Sequence, residues 1–195
     1  MEIKVLKDLT LFDLPDAFKV VSGILNIVDS IFVPEMKSVY KDERFFLEQV
    51  MNPKNISICC YTREGELTGY LLAMPQNDKI EELRKYDPEF EDDPDESTYY
   101  VEIIMSHSAH NHESKRSSFM MINELVREVD RRGKRFVTMH ALRNEGLSYV
   151  IMTMYPARLI RERVIMPELY GPDEEFDYLR ADIWDIKWLH KDRAA

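Results

Sequence analysis

A chain of 195 residues, 45% of them apolar, is long enough to bury one core and is not a disordered polymer. Its formal charge of −10, from 26 basic and 36 acidic side chains, argues against nucleic acid and anionic membrane as partners, because such a surface repels both. No stretch approaches the roughly 20 apolar residues that span a bilayer, and Met1-Glu2-Ile3-Lys4-Val5 is no signal peptide, so the expected location is the cytoplasm. Cys59 and Cys60, adjacent in an apolar run, read as reduced thiols.

Ile3–Leu6 reads as a first strand. Asp13-Leu14-Pro15 opens a helix, since Asp13 can cap and Pro15 suits the first turn, with Phe18, Val21, Leu25 and Val28 as its apolar face. A second helix is expected from about Asp42 to Val50, with Phe45, Phe46 and Val50 inward. Ile56–Tyr61 and Leu67–Leu72 form a hairpin around Arg63-Glu64-Gly65-Glu66, where Gly65 can take a positive φ. A short helix follows at Asp78–Lys85. Asp87–Glu96 holds seven acids and two prolines. It reads as a solvated, mobile loop, or else as a rim that attracts an amine. Tyr99–Ser106 is a strand, and Ser117–Arg132 an amphipathic helix with Met121, Ile122, Leu125, Val126 and Val129 at helical spacing. Gly133 ends that helix, preceded by Arg131 and Arg132. Arg135–Ala141 is a strand, Asn144–Met154 a short helix, and Arg158–Ile165 and Phe176–Ile183 the last two strands. A hairpin and a βαβ unit in one chain imply a mixed α/β sheet with helices on its faces. Residues 1–183 are read as one domain and 184–195 as a C-terminal tail.

Chemistry concentrates between Tyr99 and Gly133. The loop His107–Ser117 leads into a helix N-terminus, where unpaired amides and the macrodipole favour anions. Lys115 and Arg116 add charge there, and Ser114, Ser117 and Ser118 add hydroxyls. The ligand this suits is phosphate or pyrophosphate; the alternative is an ordinary capped helix with exposed bases. His107, His110 and His112 cluster in the same loop, with His140 on the next strand. They lack a convincing cysteine or carboxylate complement, so no metal is expected; they line the groove, or one serves as a base. The eleven methionines suit adaptable core packing, or a channel for a longer acyl chain.

The element order from Ile3 to about Ile183, and the 99–133 segment in particular, resembles the GNAT superfamily of acyl-CoA N-acyltransferases. The family's pyrophosphate loop, Q/R-x-x-G-x-G/A, falls on Glu113-Ser114-Lys115-Arg116-Ser117-Ser118, so Glu113 stands at the Gln/Arg position and Arg116 and Ser118 at the glycine positions. Arg143-Asn144-Glu145-Gly146-Leu147-Ser148-Tyr149 looks like the family's Asn-led segment after the fifth strand. The final hairpin, with Tyr170-Gly171-Pro172, and the turn Glu64-Gly65-Glu66-Leu67-Thr68-Gly69-Tyr70 are also similar. The resemblance implies a mixed, mostly antiparallel central sheet of about seven strands, flanked by helices on both faces.

It also implies acetyl transfer from acetyl-CoA to a primary amine by direct attack. No covalent enzyme intermediate is expected, since no cysteine lies in the loop or its strand. Acyl-CoA would lie beside the fourth strand, with His107 and Ser108 at the pantetheine, Lys115, Arg116, Ser117 and Ser118 at the pyrophosphate, and Asn144 as a further cofactor-binding residue. Glu102 stands eleven residues before Glu113, where the histone-type branch carries a glutamate, and is the candidate base; otherwise it is a surface or ion-paired glutamate. Arg116 either touches phosphate or obstructs it. The family's leaving-group tyrosine falls near Val150 or Ile151, and the nearby Tyr149 is the candidate, with a packing aromatic as the alternative; water can also protonate the thiolate. The implied partner is a small-molecule or peptide amine, with a homodimer left open. Two other functions stay in view: a catalytically inactive binding or regulatory module, and a long-chain or carrier-protein-dependent N-acyltransferase.

Overall fold

A computed structural model of the chain describes residues 1–6, 14–31, 42–106, 111–143, 147–166 and 174–186. The elements are β1 (Glu2–Leu6), α1 (Leu14–Ile31), α2 (Glu43–Met51), β2 (Ile56–Tyr61), β3 (Leu67–Pro75), α3 (Ile80–Leu83), β4 (Thr98–Ser106), α4 (Asn111–Arg131), β5 (Phe136–Leu142), α5 (Leu147–Met154), β6 (Arg158–Ile165) and β7 (Glu175–Asp182). Seven strands form one sheet in the order β1-β2-β3-β4-β5-β7-β6. β4 and β5 run parallel, whereas β1–β2, β2–β3, β5–β7 and β6–β7 are antiparallel. The mostly antiparallel α/β sheet of seven strands is therefore present. No helix among the described residues is long and apolar enough to cross a membrane. Contacts divide the chain into two compact units, Met1–Ala73 with Glu102–Leu125, and Met74–Val101 with Val126–Ala195.

In the first unit, Asp42 caps α2 by accepting the Phe45 amide at 2.9 Å, and Phe46 and Val50 are buried. The β2–β3 hairpin turns where expected: the Thr62 amide donates to Glu66 O at 2.8 Å, and Gly65 takes φ +87°. β2 is buried along almost its whole length, which is why it reads as an apolar run interrupted by Ser57 and why both cysteines are core residues. Burial pushes the Cys59 thiol up to about 12. The inward face of α1 differs from expectation. Ala17, Val21, Ile24, Ile27 and Val28 are buried, while Phe18 is 45% exposed. A large apolar residue at the edge of a stripe carries the same pattern weight as one at its centre, and the small Ala17 takes the inner position.

In the second unit, Leu83, Phe90, Tyr100, Val164, Met166, Phe176 and Tyr178 form one apolar cluster. α4 ends at a glycine, as expected: Gly133 has φ +69°, its amide donates to Asp130 O at 2.9 Å, and the Lys134 amide donates to Val129 O at 3.0 Å. The acidic stretch Asp87–Glu96 is not the solvated, mobile loop that its composition suggests. Asp87, Phe90 and Asp93 are buried. Gln76 Nε2 donates to Glu91 O at 2.9 Å, Asn77 Nδ2 to Asp93 O at 2.9 Å, and the Thr98 amide to Asp93 Oδ2 at 2.7 Å. Charge density misleads here because two of the seven acids turn inward to accept hydrogen bonds. Beyond β7, Ile183 and Ile186 are buried, so the chain stays packed into the start of the expected tail.

Candidate functional site

The first unit carries Glu102 and the first half of α4. Glu102 is half-buried on β4, between the buried Val101 and the half-buried Ile103 and Ile104. β4 is buried from Thr98 to Val101 and opens to partial exposure over Glu102–Ile104 before Met105 is buried again, and its pairing with β5 runs from Thr98↔Phe136 to Val101↔Met139. α4 begins at Asn111, six residues earlier than the sequence pattern suggests. Lys115, Arg116, Ser117 and Ser118 therefore stand within the helix, where their amides face the carbonyls one turn back. This corrects the expected loop: these amides are not the free donors that a loop would supply. Ser117 is fully buried with its hydroxyl 4.0 Å from Met1 Sδ, four residues before Met121 on the inner stripe. Ser118 is half-buried and shares a 3.2 Å hydrogen bond with Ser106 Oγ. Arg116 is exposed. His107, Ser108 and Asn144 lie outside the described residues, as does the side chain of Lys115. Among the described residues, no three His, Cys, Asp or Glu side chains gather to hold a metal ion.

Tyr149 belongs to the second unit, in the first turn of α5. At 71% exposure it is not a packing aromatic. Its neighbour Ser148 is buried, and Ser148 Oγ donates to Asp177 Oδ2 at 2.6 Å. Arg143 Nη1 donates to the other oxygen of the same carboxylate at 3.0 Å. Tyr155, the other tyrosine near this position, is buried, and burial raises its hydroxyl well above the ordinary range.

The second unit also assembles a buried polar row that composition hides. Tyr100 pairs in register with Thr138, His140 with Tyr178, and Tyr178 with Arg161. The registers of four adjacent strands thus bring Tyr100, His140, Tyr178 and Arg161 onto one face. A register shift between Leu159 and Arg161 turns the arginine to that face. The His140 ring stacks on Tyr178, with centroids 4.8 Å apart, and the Arg161 guanidinium lies 4.6 Å from the Tyr178 ring. Asp87 closes the row from the acidic stretch: its Oδ2 accepts from Arg161 Nη2 at 2.5 Å, Arg161 Nε at 3.1 Å and His140 Nε2 at 3.2 Å. Burial pushes the Asp87 carboxyl up, but the hydrogen bonds and charges of His140 and Arg161 outweigh that and hold it below the ordinary carboxylate range. A carboxylate only accepts, so the imidazole carries its proton on Nε2. In the neutral ring, Nδ1 then accepts from the Tyr100 hydroxyl at 3.0 Å.

Sequence reasoning located His140 but none of its partners. The one readable signal was Asp87 itself, an acid a few residues after a short helix and directly before a proline, where a turn fixes the chain.

No family model and no curated protein matches the sequence. Solved structures do match. An aminoglycoside 6'-N-acetyltransferase complexed with coenzyme A is 16% identical, with a TM-score of 0.55 over 94% of this chain and 97% of the other. An acetyltransferase of the GNAT family from Desulfovibrio desulfuricans is 13% identical, with a TM-score of 0.57 over 93% and 99%. TofI, solved in an apo form, is 16% identical, with a TM-score of 0.65 over 94% and 91%. At these identities the likeness is one of fold, and the chain has the fold of the GNAT acetyltransferases.

Proposed function

We propose that this chain is an acyl-CoA-dependent N-acyltransferase that moves an acetyl group from acetyl-CoA to a primary amine. The observation that carries the reading is the likeness of fold, over 94% of the chain, to an acetyltransferase solved with coenzyme A. Glu102, half-buried where β4 loses its full cover, supports it as the group that takes a proton from the ammonium. The freed amine attacks the thioester carbonyl, the C–S bond breaks, and the thiolate takes a proton from Tyr149 or from water. The pyrophosphate donors are the amides of residues 111–113 in the first turn of α4, which an α-helix leaves without intrahelical partners, rather than those of Lys115–Ser118, with Arg116 as an exposed cation one turn on. His107, Ser108 and Asn144 remain the proposed contacts to the rest of the cofactor. The acceptor is an amine on a small molecule or peptide, and the location is the cytoplasm.

A second reading, a binding module without turnover, draws support from Ser117, which faces inward instead of toward a ligand. Coenzyme A release from acetyl-CoA, measured against a panel of primary amines that includes an aminoglycoside, a polyamine and a lysine peptide, separates the two. Transfer requires release that depends on the amine; release at the buffer rate with every amine excludes it.

A further inference from the structure

Asp177 lies on β7, on the opposite face of the strand from Phe176 and Tyr178. It is almost fully buried, and its two oxygens serve different partners: Oδ1 takes Arg143 at 3.0 Å and Oδ2 takes Ser148 at 2.6 Å. Arg143 directly follows β5, and Ser148 is the second residue of α5. One carboxylate therefore grips the residues on either side of positions 144–147. The Arg143 amide fixes the same end again, donating to Glu175 O at 2.9 Å.

A buried carboxylate is unfavourable unless both oxygens are well paired, so this arrangement has one geometry in which it is stable. That geometry sets the rotation of α5 about its own axis through Ser148. The next residue, about 100° further round the helix, is the exposed Tyr149.

We infer that Asp177 is a positioning residue for Tyr149, aiming the phenol through Ser148. The inference rests on the reading of Tyr149 as the donor whose O–H proton passes to the coenzyme A sulfur as the C–S bond breaks, leaving a phenolate that solvent reprotonates. Glu162, 3.4 Å from Arg143, shares that arginine but not Ser148, so it sets no helix rotation.

The test is a double-mutant cycle on the whole chain, read as amine-dependent coenzyme A release with the amine of highest turnover. Tyr149→Phe lowers kcat by about 100-fold. Asp177→Asn and Ser148→Ala each lower kcat by about ten-fold with the acetyl-CoA KM unchanged, because misaimed groups lose rate and not binding. Added to Tyr149→Phe, either substitution changes kcat by less than about two-fold. Ser148→Ala leaves the Arg143 pair in place, so it reports on aim even where Asp177→Asn folds poorly. Losses that multiply in the double variants overturn the inference and leave Tyr149 standing, as do single Asp177 and Ser148 variants with wild-type kcat. Wild-type kcat in Tyr149→Phe overturns both.

Discussion

Removing the Asp87 carboxylate tests the account of the buried row. Asp87→Ala leaves the Arg161 guanidinium and His140 Nε2, which now point at Asp87 Oδ2, without an acceptor. The Asp87 side chain is 3% exposed and that of Arg161 18%, so water does not readily replace the lost oxygen. Breaking a buried pair by deleting one partner costs about 4 kcal/mol. For a domain of this size that lowers Tm by about 8 to 16 °C. Asp87→Asn keeps an acceptor without the charge and costs about 2 kcal/mol. The pH dependence follows from the depressed carboxyl. A group whose folded pKa lies below its unfolded value, about 3.9, contributes fully above the unfolded pKa and loses that contribution as pH falls through the folded one. The gap between wild type and Asp87→Asn in urea unfolding is therefore level from pH 5 to 7 and narrows below about pH 4. A loss under about 1 kcal/mol for Asp87→Ala at pH 7, or a gap that widens in acid, would refute this reasoning.

Other substitutions probe other parts of the fold. Glu102→Gln should lower kcat by about 100-fold or more while acetyl-CoA affinity stays within about two-fold, as measured by steady-state kinetics and titration; wild-type turnover rules Glu102 out as the base. Gly65→Ala places a side chain at φ +87° in open space, so it costs about 1 kcal/mol through backbone conformation alone. Gly69→Ala has no such strain, but its Cβ meets Met121 Cε at 2.9 Å and Sδ at 3.2 Å. It costs about 1 to 2 kcal/mol, and a larger residue such as valine costs more. Equal losses for alanine and valine at position 69, in chemical unfolding, would contradict the packing described.

Elements whose periodicity is set locally were legible: the hairpin at Gly65, the second helix with Phe46 and Val50 inward and the glycine stop at Gly133 all rest on residues within a turn or two of the feature they control. What was hidden depends on register between distant strands. Nothing near His140 in sequence announces that it will stack on Tyr178, or that Arg161 will reach Asp87 across the same face. The acidic stretch misled for the same reason, since burial of Asp87 and Asp93 is decided by partners elsewhere in the chain. Ser117 looked available because the start of α4 was read from its apolar stripe. The helix begins earlier, at Asn111, among polar residues that carry no stripe. Tyr149 and Glu102 are proposed through resemblance to a family; the clamp beneath Tyr149 joins Asp177 to Ser148 across 29 residues and has no local signal.

The central claim is that this fold still accepts acyl-CoA although Arg116 and Ser118 stand where the family's glycines are expected. Isothermal titration with acetyl-CoA tests it most directly. The account predicts saturable one-to-one binding with Kd in the range of about 1 to 100 μM, some 5.5 to 8 kcal/mol, weakened by salt as the pyrophosphate charges are screened. Absence of heat and of any saturable signal at millimolar acetyl-CoA would contradict it.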